Sequence, residues 1–354
     1  MNRLKAIGSF LRERVGWHAV GLVASLVIIG IAVVVLYKML RNINPGEVLD
    51  ALTGTEPWRV GLAALFVACA YFTLTFYDWF ALRTIGKTKV PYRTAALASF
   101  TSYSIGHNLG FSAFTGGTVR YRIYSAHGLG AIDVAKLCFI TGLTFWLGNM
   151  AILGIGITIE PWAASAVDQL PPWMNRVIGI ALLSGLTAYV VWVGWKPRRI
   201  GVGEGHWTVT LPGSKLTLLQ ICIGIVDLSF CAAAMYVLMP QTPYIDPIAL
   251  GVVFISATLL GFASHAPGGL GVFDAAMLVA LSQFDKEPLL GALLLLRLLY
   301  YVTPFALALI IMGVRELLLS RARKVAAAEL VATAASVPES GRTANDAEAQ
   351  RTSA

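Results

Sequence analysis

Residues 94–130 of the chain read TAALASFTSYSIGHNLGFSAFTGGTVRYRIYSAHGLG, and the interpretation of the whole sequence starts from this stretch. It is apolar enough to enter a lipid bilayer, yet glycine, serine, histidine and asparagine interrupt it too often for an ordinary transmembrane helix. Lipid offers no hydrogen bonds to a broken backbone, so such a segment must be shielded by protein or line a wet cavity. We therefore expect the functional region of the protein to lie here.

The composition places the chain among the polytopic membrane proteins. Of its 354 residues, 57% are hydrophobic and 13% are charged, whereas soluble domains carry about 25% charged residues. The sequence contains no motif of an ATP-binding, zinc-protease or serine-hydrolase site, and its four cysteines lie in apolar segments, where we interpret them as buried thiols. The sequence thus predicts no catalytic residue, no metal and no cofactor, and a protein that is not an enzyme.

Hydropathy divides the chain into three parts. Residues 1–16 form a basic lead-in, residues 17–319 a transmembrane domain, and residues 325–354 a disordered cytoplasmic tail rich in alanine, serine and threonine. About six segments approach the ~20 apolar residues that a bilayer core requires. These predicted spans are 17–37, 58–82, 132–159, 174–195, 216–239 and 288–314. The segment 160–172 is predicted to be a loop, and 201–213 a small hairpin or loop.

Lysine and arginine predict which connections face the cytoplasm. The N-terminus and the segments 83–93, 196–215 and 315–324 are basic, whereas 160–172 and 240–247 contain neither residue. With only one full span between opposite sides in each case, 94–117 and 248–284 are predicted to enter the membrane and return. The second would turn near Pro267–Gly269. Pairs of short full spans are the alternative, and sidedness does not distinguish between them.

The predicted fold is therefore an all-α polytopic membrane protein. It has about six full spans and two broken re-entrant helical hairpins, with both termini in the cytoplasm. The units 58–159 and 216–314 share one order, span, broken hairpin, span, and run in opposite directions through the membrane. Inverted repeats with discontinuous helices that meet near the midplane are typical of secondary transporters.

The segment TGGTVRYR predicts a site for a lipid phosphate at the cytoplasmic interface. Gly116 and Gly117 permit close approach of a ligand to the backbone, and amides near a helix start favour anions. Arg120 and Arg122 supply planar, permanently charged donors. The alternative is that both arginines are only positive-inside anchors with snorkelling stems.

Further polar residues at membrane depth are candidates for the same site. A satisfied structural role is the more common alternative for His107. For Asp274, helix capping and a ligand role are equal alternatives. The remaining charges can pair internally, since an unpaired charge at this depth costs several kcal/mol. The candidates are His107, Asn108, Pro267, Gly268, Gly269, Asp274, Asp78, Asp227, Arg297 and Tyr301.

Three stretches, GFSAFTGGTVRYRIYSAHGLG, SHAPGGLGVFDAAML and RLLYYVTP, resemble the signature segments of the lysylphosphatidylglycerol synthase transmembrane family. The resemblance covers residues 17–319. It implies a multi-pass protein of the bacterial inner membrane that flips a phospholipid, such as aminoacylated phosphatidylglycerol, between leaflets. It also favours the phosphate-binding interpretation of Arg120 and Arg122. By the same match the best further positions are Gly116, Gly117, Tyr121, Pro267, Gly268, Gly269, Arg297 and Tyr301.

Two departures from the family pattern limit this expectation. The soluble aminoacyltransferase domain is replaced here by the alanine- and serine-rich tail, so we do not expect the chain to make lysylphosphatidylglycerol. The acidic residue after PGGLGVF is often glutamate in the family and is Asp274 here, which predicts a different headgroup if that carboxylate touches lipid.

The expected partner is a membrane phospholipid, whose headgroup would meet Arg120 and Arg122, with Asp78, Asp227 or Asp274 accommodating a cationic headgroup. A separate synthetase and a second copy of the chain are further candidate partners, and no nucleic acid is expected. Two alternatives remain open. One is a membrane-embedded enzyme or accessory subunit acting on a lipid headgroup or a polyprenyl-linked sugar, with His107 or Asp274 as the general base. The other is a non-catalytic partner that positions another enzyme.

Overall fold

The computed structural model describes residues 53–335 except 111, 197, 203–206 and 265, together with positions 46 and 50. The predicted lead-in 1–16, the predicted span 17–37 and the last part of the tail, 336–354, lie outside these residues. Backbone contacts divide the chain into two units, Met1–Leu309 and Ile310–Ala354. In the second unit, the described residues continue the last helix.

The described chain is almost entirely helical. Its elements are α1 (Pro57–Thr84), α2 (Tyr92–Leu109), α3 (Ser112–Tyr124), α4 (Ala131–Ile159), α5 (Pro161–Asp168), α6 (Pro172–Trp195), β1 (Arg199–Val202), β2 (Trp207–Thr210), α7 (Ser214–Leu238), α8 (Pro247–Ala263), α9 (Val272–Ala280), α10 (Lys286–Leu296), a π-helical segment (Arg297–Val302) and α11 (Thr303–Ala335). Short 3-10 helices occupy Ser125–His127 and Pro267–Gly269.

Five of these helical stretches are long and apolar enough to cross a membrane. They are α1, α4, α6, α7 and the continuous stretch Lys286–Arg321. Each coincides with one of the predicted spans from 58–82 onward, and the sixth prediction, 17–37, falls outside the described residues. The prediction of an all-α polytopic membrane protein is confirmed at this level. The small hairpin is also present, with β1 and β2 pairing antiparallel in the register Arg199↔Thr210.

Several helices begin at residues suited to a helix start. Some are prolines, which have no amide N–H to satisfy, and others are carboxylates that accept a free amide. Proline is the first residue of α1, α5, α6 and α8, where its missing N–H costs no helical hydrogen bond. The carboxylate of Asp246 accepts the amides of Ile248 (2.8 Å) and Ala249 (3.3 Å) and so caps α8. In α4 the carboxylate of Asp133 accepts the amide of Gly130 at 3.2 Å.

Both stretches predicted to be broken hairpins contain a helix, a break and a second helix. Gly110 ends α2 with φ 73°, a left-handed backbone conformation that favours glycine. The second break is the Pro267–Gly269 turn, where Gly268 and Gly269 also have positive φ values of 61° and 63°. The predicted turn at Pro267–Gly269 is therefore present, and α9 begins directly after it.

Helices α1 and α7 form the most extensive helix–helix contact of the described chain, and they run antiparallel. The guanidinium group of Arg59, at the start of α1, donates to the carbonyls of Val237 (2.8 Å) and Met239 at the end of α7. Helix α4 crosses α7 where Gly148 meets Gly224, and a methyl group on Gly148 would lie 2.5 Å from the Gly224 Cα. Small residues at such crossings let helices approach closely in membranes.

Three local predictions need correction. The segment 160–172 is not a simple loop but contains α5, whose first residue, Pro161, has a backbone suited to a helix start. The last helix continues to Ala335, so the predicted tail start at residue 325 is too early, because alanine, leucine and glutamate there are strong helix formers. Finally, Cys231 is buried but Cys222 is exposed, so not every thiol is enclosed.

Candidate functional site

A cavity of about 380 Å³ lies between the two broken hairpins, with α4 as its third wall. This volume is near the lower end of the ~300–1,000 Å³ that is common for small-molecule sites. Residues of α2, α3, α4, α8 and α9, of both breaks and of the π-helical segment contribute to it. The lining residues are Ser102, Tyr103, Gly106, His107, Gly110, Phe114, Arg120, Cys138, Thr141, Gly142, Phe145, Trp146, Thr258, Gly261, Phe262, Ala266, Gly268, Gly269, Phe273 and Tyr301.

Among the described lining residues, the charged side chain is that of Arg120 in α3, which is only 5% exposed. Its Nε lies 3.1 and 3.0 Å from the two carboxylate oxygens of Asp78, and its Nη2 lies 2.7 Å from Oδ1. The hydroxyl of Tyr124 donates to Oδ2 of the same carboxylate at 2.8 Å. Arg120 and Tyr124 are one helical turn apart, so α3 presents both to the fully buried Asp78 of α1.

Arg120 also belongs to the cavity wall, since its guanidinium carbon lies 4.7 Å from the ring centre of Tyr103. Asp78 binds the Nε and Nη2 groups and neutralises the charge of the guanidinium group. The guanidinium group of Arg120 carries further N–H groups besides those that bind Asp78. A planar guanidinium group is suited to binding phosphate through two such N–H groups. The arrangement offers an anionic group a donor already held in place by a second charge.

A continuous row of aromatic rings forms much of the remaining wall. It is defined by Tyr103, His107, Phe262, Phe145 and Trp146, with successive ring centres 5.5, 5.7, 5.5 and 5.7 Å apart. Trp146 is 56% exposed at the protein surface. The row therefore leads from the buried arginine to the outside of the helices, and it offers an apolar surface along that route.

Glycines of the second break line the cavity, whereas the charged residues near this break do not. Gly268 and Gly269 line the cavity, whereas Asp274 and Arg297 are not among its lining residues. Nη2 of Arg297 lies 2.8 and 2.6 Å from the two carboxylate oxygens of Asp274. The same carboxylate accepts the Gly271 amide at 3.1 Å at the start of α9. Asp274 is thus both a cap and half of an ion pair.

The π-helical segment connects this region to the first hairpin. A π-helix displaces the ordinary helical hydrogen bonds, and two of its carbonyl groups accept side chains from other helices. The amide of Asn108 donates to the Tyr301 carbonyl at 3.2 Å, and the hydroxyl of Tyr71 donates to the Tyr300 carbonyl at 3.0 Å. Asn108 therefore has a structural role, because its hydrogen bond holds the end of α2 against the segment containing Tyr301.

The other predicted site residues take separate positions. Gly116 and Gly117 lie inside α3, which begins at Ser112, so the expectation that they precede a helix start is wrong. Gly116 instead lets α3 approach α2, because a methyl group there would lie 3.3 Å from the Ser102 carbonyl oxygen. Arg122 is buried and Tyr121 half-buried, and neither lines the cavity.

Of the predicted residues, His107, Arg120, Gly268, Gly269 and Tyr301 meet at the cavity. Asp78 joins them through Arg120, while Pro267 shapes the adjacent turn. Asp227 is 3% exposed and accepts the hydroxyl of Tyr77 at 3.1 Å, away from the cavity wall.

Sequence reasoning missed the aromatic row and the contribution of α4. Residues such as Phe145 and Phe262 look like ordinary membrane-helix residues, and their sequence separation conceals their contact. One usable signal was the polar face of α2. Its buried hydroxyl residues, Ser99, Thr101, Ser102 and Ser104, are unusual for a helix that faces lipid.

Comparison of the sequence with known proteins adds three relatives. The chain is 31% identical over 283 residues to the inner membrane protein YbhN of Escherichia coli, which covers 78% of this chain and 82% of that protein. It is 29% identical over 278 residues to an uncharacterized protein of Synechocystis sp., covering 78% and 85%. It is 26% identical over 293 residues to a phosphatidylglycerol lysyltransferase of Staphylococcus haemolyticus, covering 79% of this chain but 32% of that enzyme. No model of a protein family matches the sequence.

Proposed function

Because the chain belongs to the family of the inner membrane protein YbhN, a multi-pass family of the bacterial inner membrane that is related to phosphatidylglycerol lysyltransferases, we propose that it moves a phospholipid between the two leaflets. The family resemblance expected from the three signature stretches is confirmed by these relatives. Lipid movement itself is our proposal, as is the lipid class. The lysyltransferase relative acts, by its name, on phosphatidylglycerol.

The observation that carries the proposal is the cavity between the two broken hairpins, with the buried guanidinium group of Arg120 in its wall. A translocator must lower the cost of taking a polar headgroup through the apolar bilayer core. A preformed cavity with a paired cation and hydroxyl groups does this for a phosphate. The aromatic row from Tyr103 to Trp146 would provide an apolar surface along which the acyl chains of the lipid pass.

The arrangement of helices supports the same proposal. Helices α3 and α9 contain 13 and 9 residues, which corresponds to about 20 and 14 Å of helix against a hydrocarbon core of about 30 Å. Neither would span the membrane alone, which favours re-entrant hairpins. The antiparallel packing of α1 and α7, the first helices of the two proposed units, is the relation that an inverted repeat requires.

The lining of the cavity favours the phosphate rather than a cationic headgroup as the recognised feature. None of the described lining residues is a carboxylate. Asp78 is bound by Arg120, and Asp274 by Arg297. This supports the phosphate role proposed for Arg120 and withdraws support from the expectation that Asp78, Asp227 and Asp274 hold a cation.

We also propose that the protein is not an enzyme. The embedded-enzyme alternative needs one general base, for which His107 and Asp274 are the two candidates. His107 lines the cavity, but Asp274 is held outside that lining by Arg297 and by the Gly271 amide. A scaffolding role for a separate synthetase and a homo-oligomer both remain predictions.

The proposal is tested by filling the cavity. Gly142 lines it, and an added side-chain carbon there meets no atom within 4 Å, so Gly142→Phe places a ring in the cavity without a backbone clash. Gly185, on the exposed side of α6, is equally free of neighbours and provides the matched Gly185→Phe control. Both variants and the wild type are reconstituted in liposomes with fluorescent phosphatidylglycerol, and leaflet exchange is followed by chemical quenching of the outer leaflet.

We expect exchange above that of empty liposomes for the wild type and Gly185→Phe, and near-background exchange for Gly142→Phe. Arg120→Ala is expected to reduce the rate as well. A wild-type rate equal to that of empty vesicles would refute the proposed function. Equal rates in the wild type and Gly142→Phe would show that the lipid does not pass through this cavity.

A further inference from the structure

Asp227 differs from Asp78 and Asp274 in that no arginine pairs with it among the described residues. It lies near the middle of the apolar helix α7 and is 3% exposed. The carboxylates of Asp78 and Asp274 each hold an arginine within 2.7 Å. Asp227 has no such cation among the described residues. Its Oδ2 accepts the Tyr77 hydroxyl at 3.1 Å, and its Oδ1 has no hydrogen-bond partner there.

The groups that face Asp227 cannot compensate a negative charge. Tyr71 and Tyr77 approach it from α1, Tyr103 from α2 and Tyr300 from the π-helical segment, while Cys231 lies one turn away on α7 itself. All of these are neutral acids. Helices α4, α6, α8 and α10 also pack against α7, and their described residues bring no charged group to the carboxylate.

An ionised carboxylate in this position would be a buried, uncompensated charge, which is costly at membrane depth. The protonated carboxyl is neutral and both donates and accepts hydrogen bonds. The surroundings of Asp227 therefore hold a proton in the arrangement seen here. They would release it only if water or a cation reached the side chain.

Asp227 is also connected to the cavity and to the helices that would have to move. The ring of Tyr77, whose hydroxyl binds Asp227, packs edge-on against Tyr103 at 5.8 Å, and Tyr103 lines the cavity. The carboxylate itself lies at the contact between α1 and α7. Repacking of this contact during transport would change the access of water to Asp227.

We propose that Asp227 binds and releases one proton in each transport cycle and thereby couples lipid movement to a proton gradient. This inference rests on the proposed lipid-translocating function. In the release step the carboxyl O–H bond breaks, the proton passes to a water molecule that enters when α1 and α7 repack, and a carboxylate remains. Uptake from water on the other side reverses the step. Tyr77 keeps its hydroxyl proton and orients the carboxylate throughout.

The test uses the full chain in liposomes containing fluorescent phosphatidylglycerol, with an imposed pH difference of two units in either direction. The wild-type rate is expected to differ by about threefold or more between the two directions, within the hundredfold that one proton per lipid allows. A protonophore should abolish the difference. Equal wild-type rates in both directions overturn the coupling while leaving lipid movement intact, whereas no exchange under any condition overturns both proposals.

Two variants locate the coupling. Asp227→Asn mimics the protonated side chain and is expected to exchange lipid at one rate regardless of gradient direction. Asp227→Glu, which can still titrate, should restore the directional difference at least in part. Asp246→Asn removes a carboxylate at the α8 cap, where asparagine also caps, and should respond to the gradient like the wild type. A full gradient response in Asp227→Asn overturns the assignment to Asp227. The wild-type rates in the two gradient directions test the coupling without any variant, so a misfolded variant does not decide the outcome.

Discussion

Replacement of Asp78 by asparagine tests the central ion pair of the site. The substitution retains the shape of the side chain but leaves the guanidinium group of Arg120, which is 5% exposed, without its carboxylate. Three N–H···O contacts of 2.7–3.1 Å and the hydrogen bond from Tyr124 lose their charged acceptor. Removal of one partner from a buried pair costs about 3–5 kcal/mol, and we expect the free energy of unfolding to fall by that amount.

The assay is denaturant-induced unfolding of the purified protein in detergent micelles, followed by tryptophan fluorescence. Lys87→Gln provides the matched control, because Lys87 forms a 2.8 Å pair with Asp133 whose side chains are 36% and 25% exposed. A pair of this kind contributes about 0.2–1 kcal/mol. The two variants remove one charge each, so the difference between them isolates the effect of burial.

The double variant Asp78→Asn with Arg120→Gln completes the cycle. Once both charges are gone, no buried ion remains, so the double variant should be less destabilised than the sum of the single variants by about 1–3 kcal/mol. If Asp78→Asn costs no more than Lys87→Gln, or if the two single effects simply add, the described pairing of Asp78 with Arg120 is wrong.

Four further substitutions are tested by the same unfolding measurement. Gly148→Ala should lower stability by about 1–3 kcal/mol, because its methyl group would lie 2.5 Å from the Gly224 Cα. Gly61→Ala, with no atom near its added methyl group, should instead be neutral or stabilising by about 0.5–1 kcal/mol. Gly269→Ala should cost about 1–2 kcal/mol, since its φ is +63°, and an unchanged midpoint would contradict the described turn. Arg297→Gln should cost less than Asp78→Asn, because water reaches Asp274, whose side chain is 25% exposed.

Local sequence was a good guide wherever one segment decided its own structure. The second break was predicted at Pro267–Gly269, since consecutive glycines after a proline end a helix whatever surrounds them. The spans from residue 58 onward were found in the same way, from their apolar length. Two predictions of local structure were wrong. Gly116 and Gly117 were expected to precede a helix but lie inside α3, and the segment that contains the short helix α5 was expected to be a loop.

The sequence alone did not predict which charged residues pair with each other. Asp78 and Arg120 are 42 positions apart, and Asp274 and Arg297 are 23 positions apart. Any of the three candidate carboxylates could have met either arginine. Only the packing of α3 against α1 and of α9 beside the π-helical segment selects the partners, and the same packing leaves Asp227 without one. This packing therefore puts Arg120 in the cavity wall and leaves Asp227 away from it.

The sequence alone therefore establishes a helical, multi-pass membrane protein with two interrupted segments, because apolar length and helix-breaking residues act within a few turns of the chain. The cavity, its aromatic row and the identity of each ion pair arise only when distant helices meet. Burial then makes those contacts decisive, since a charge that would be indifferent in water must find a partner, or a proton, inside a membrane protein.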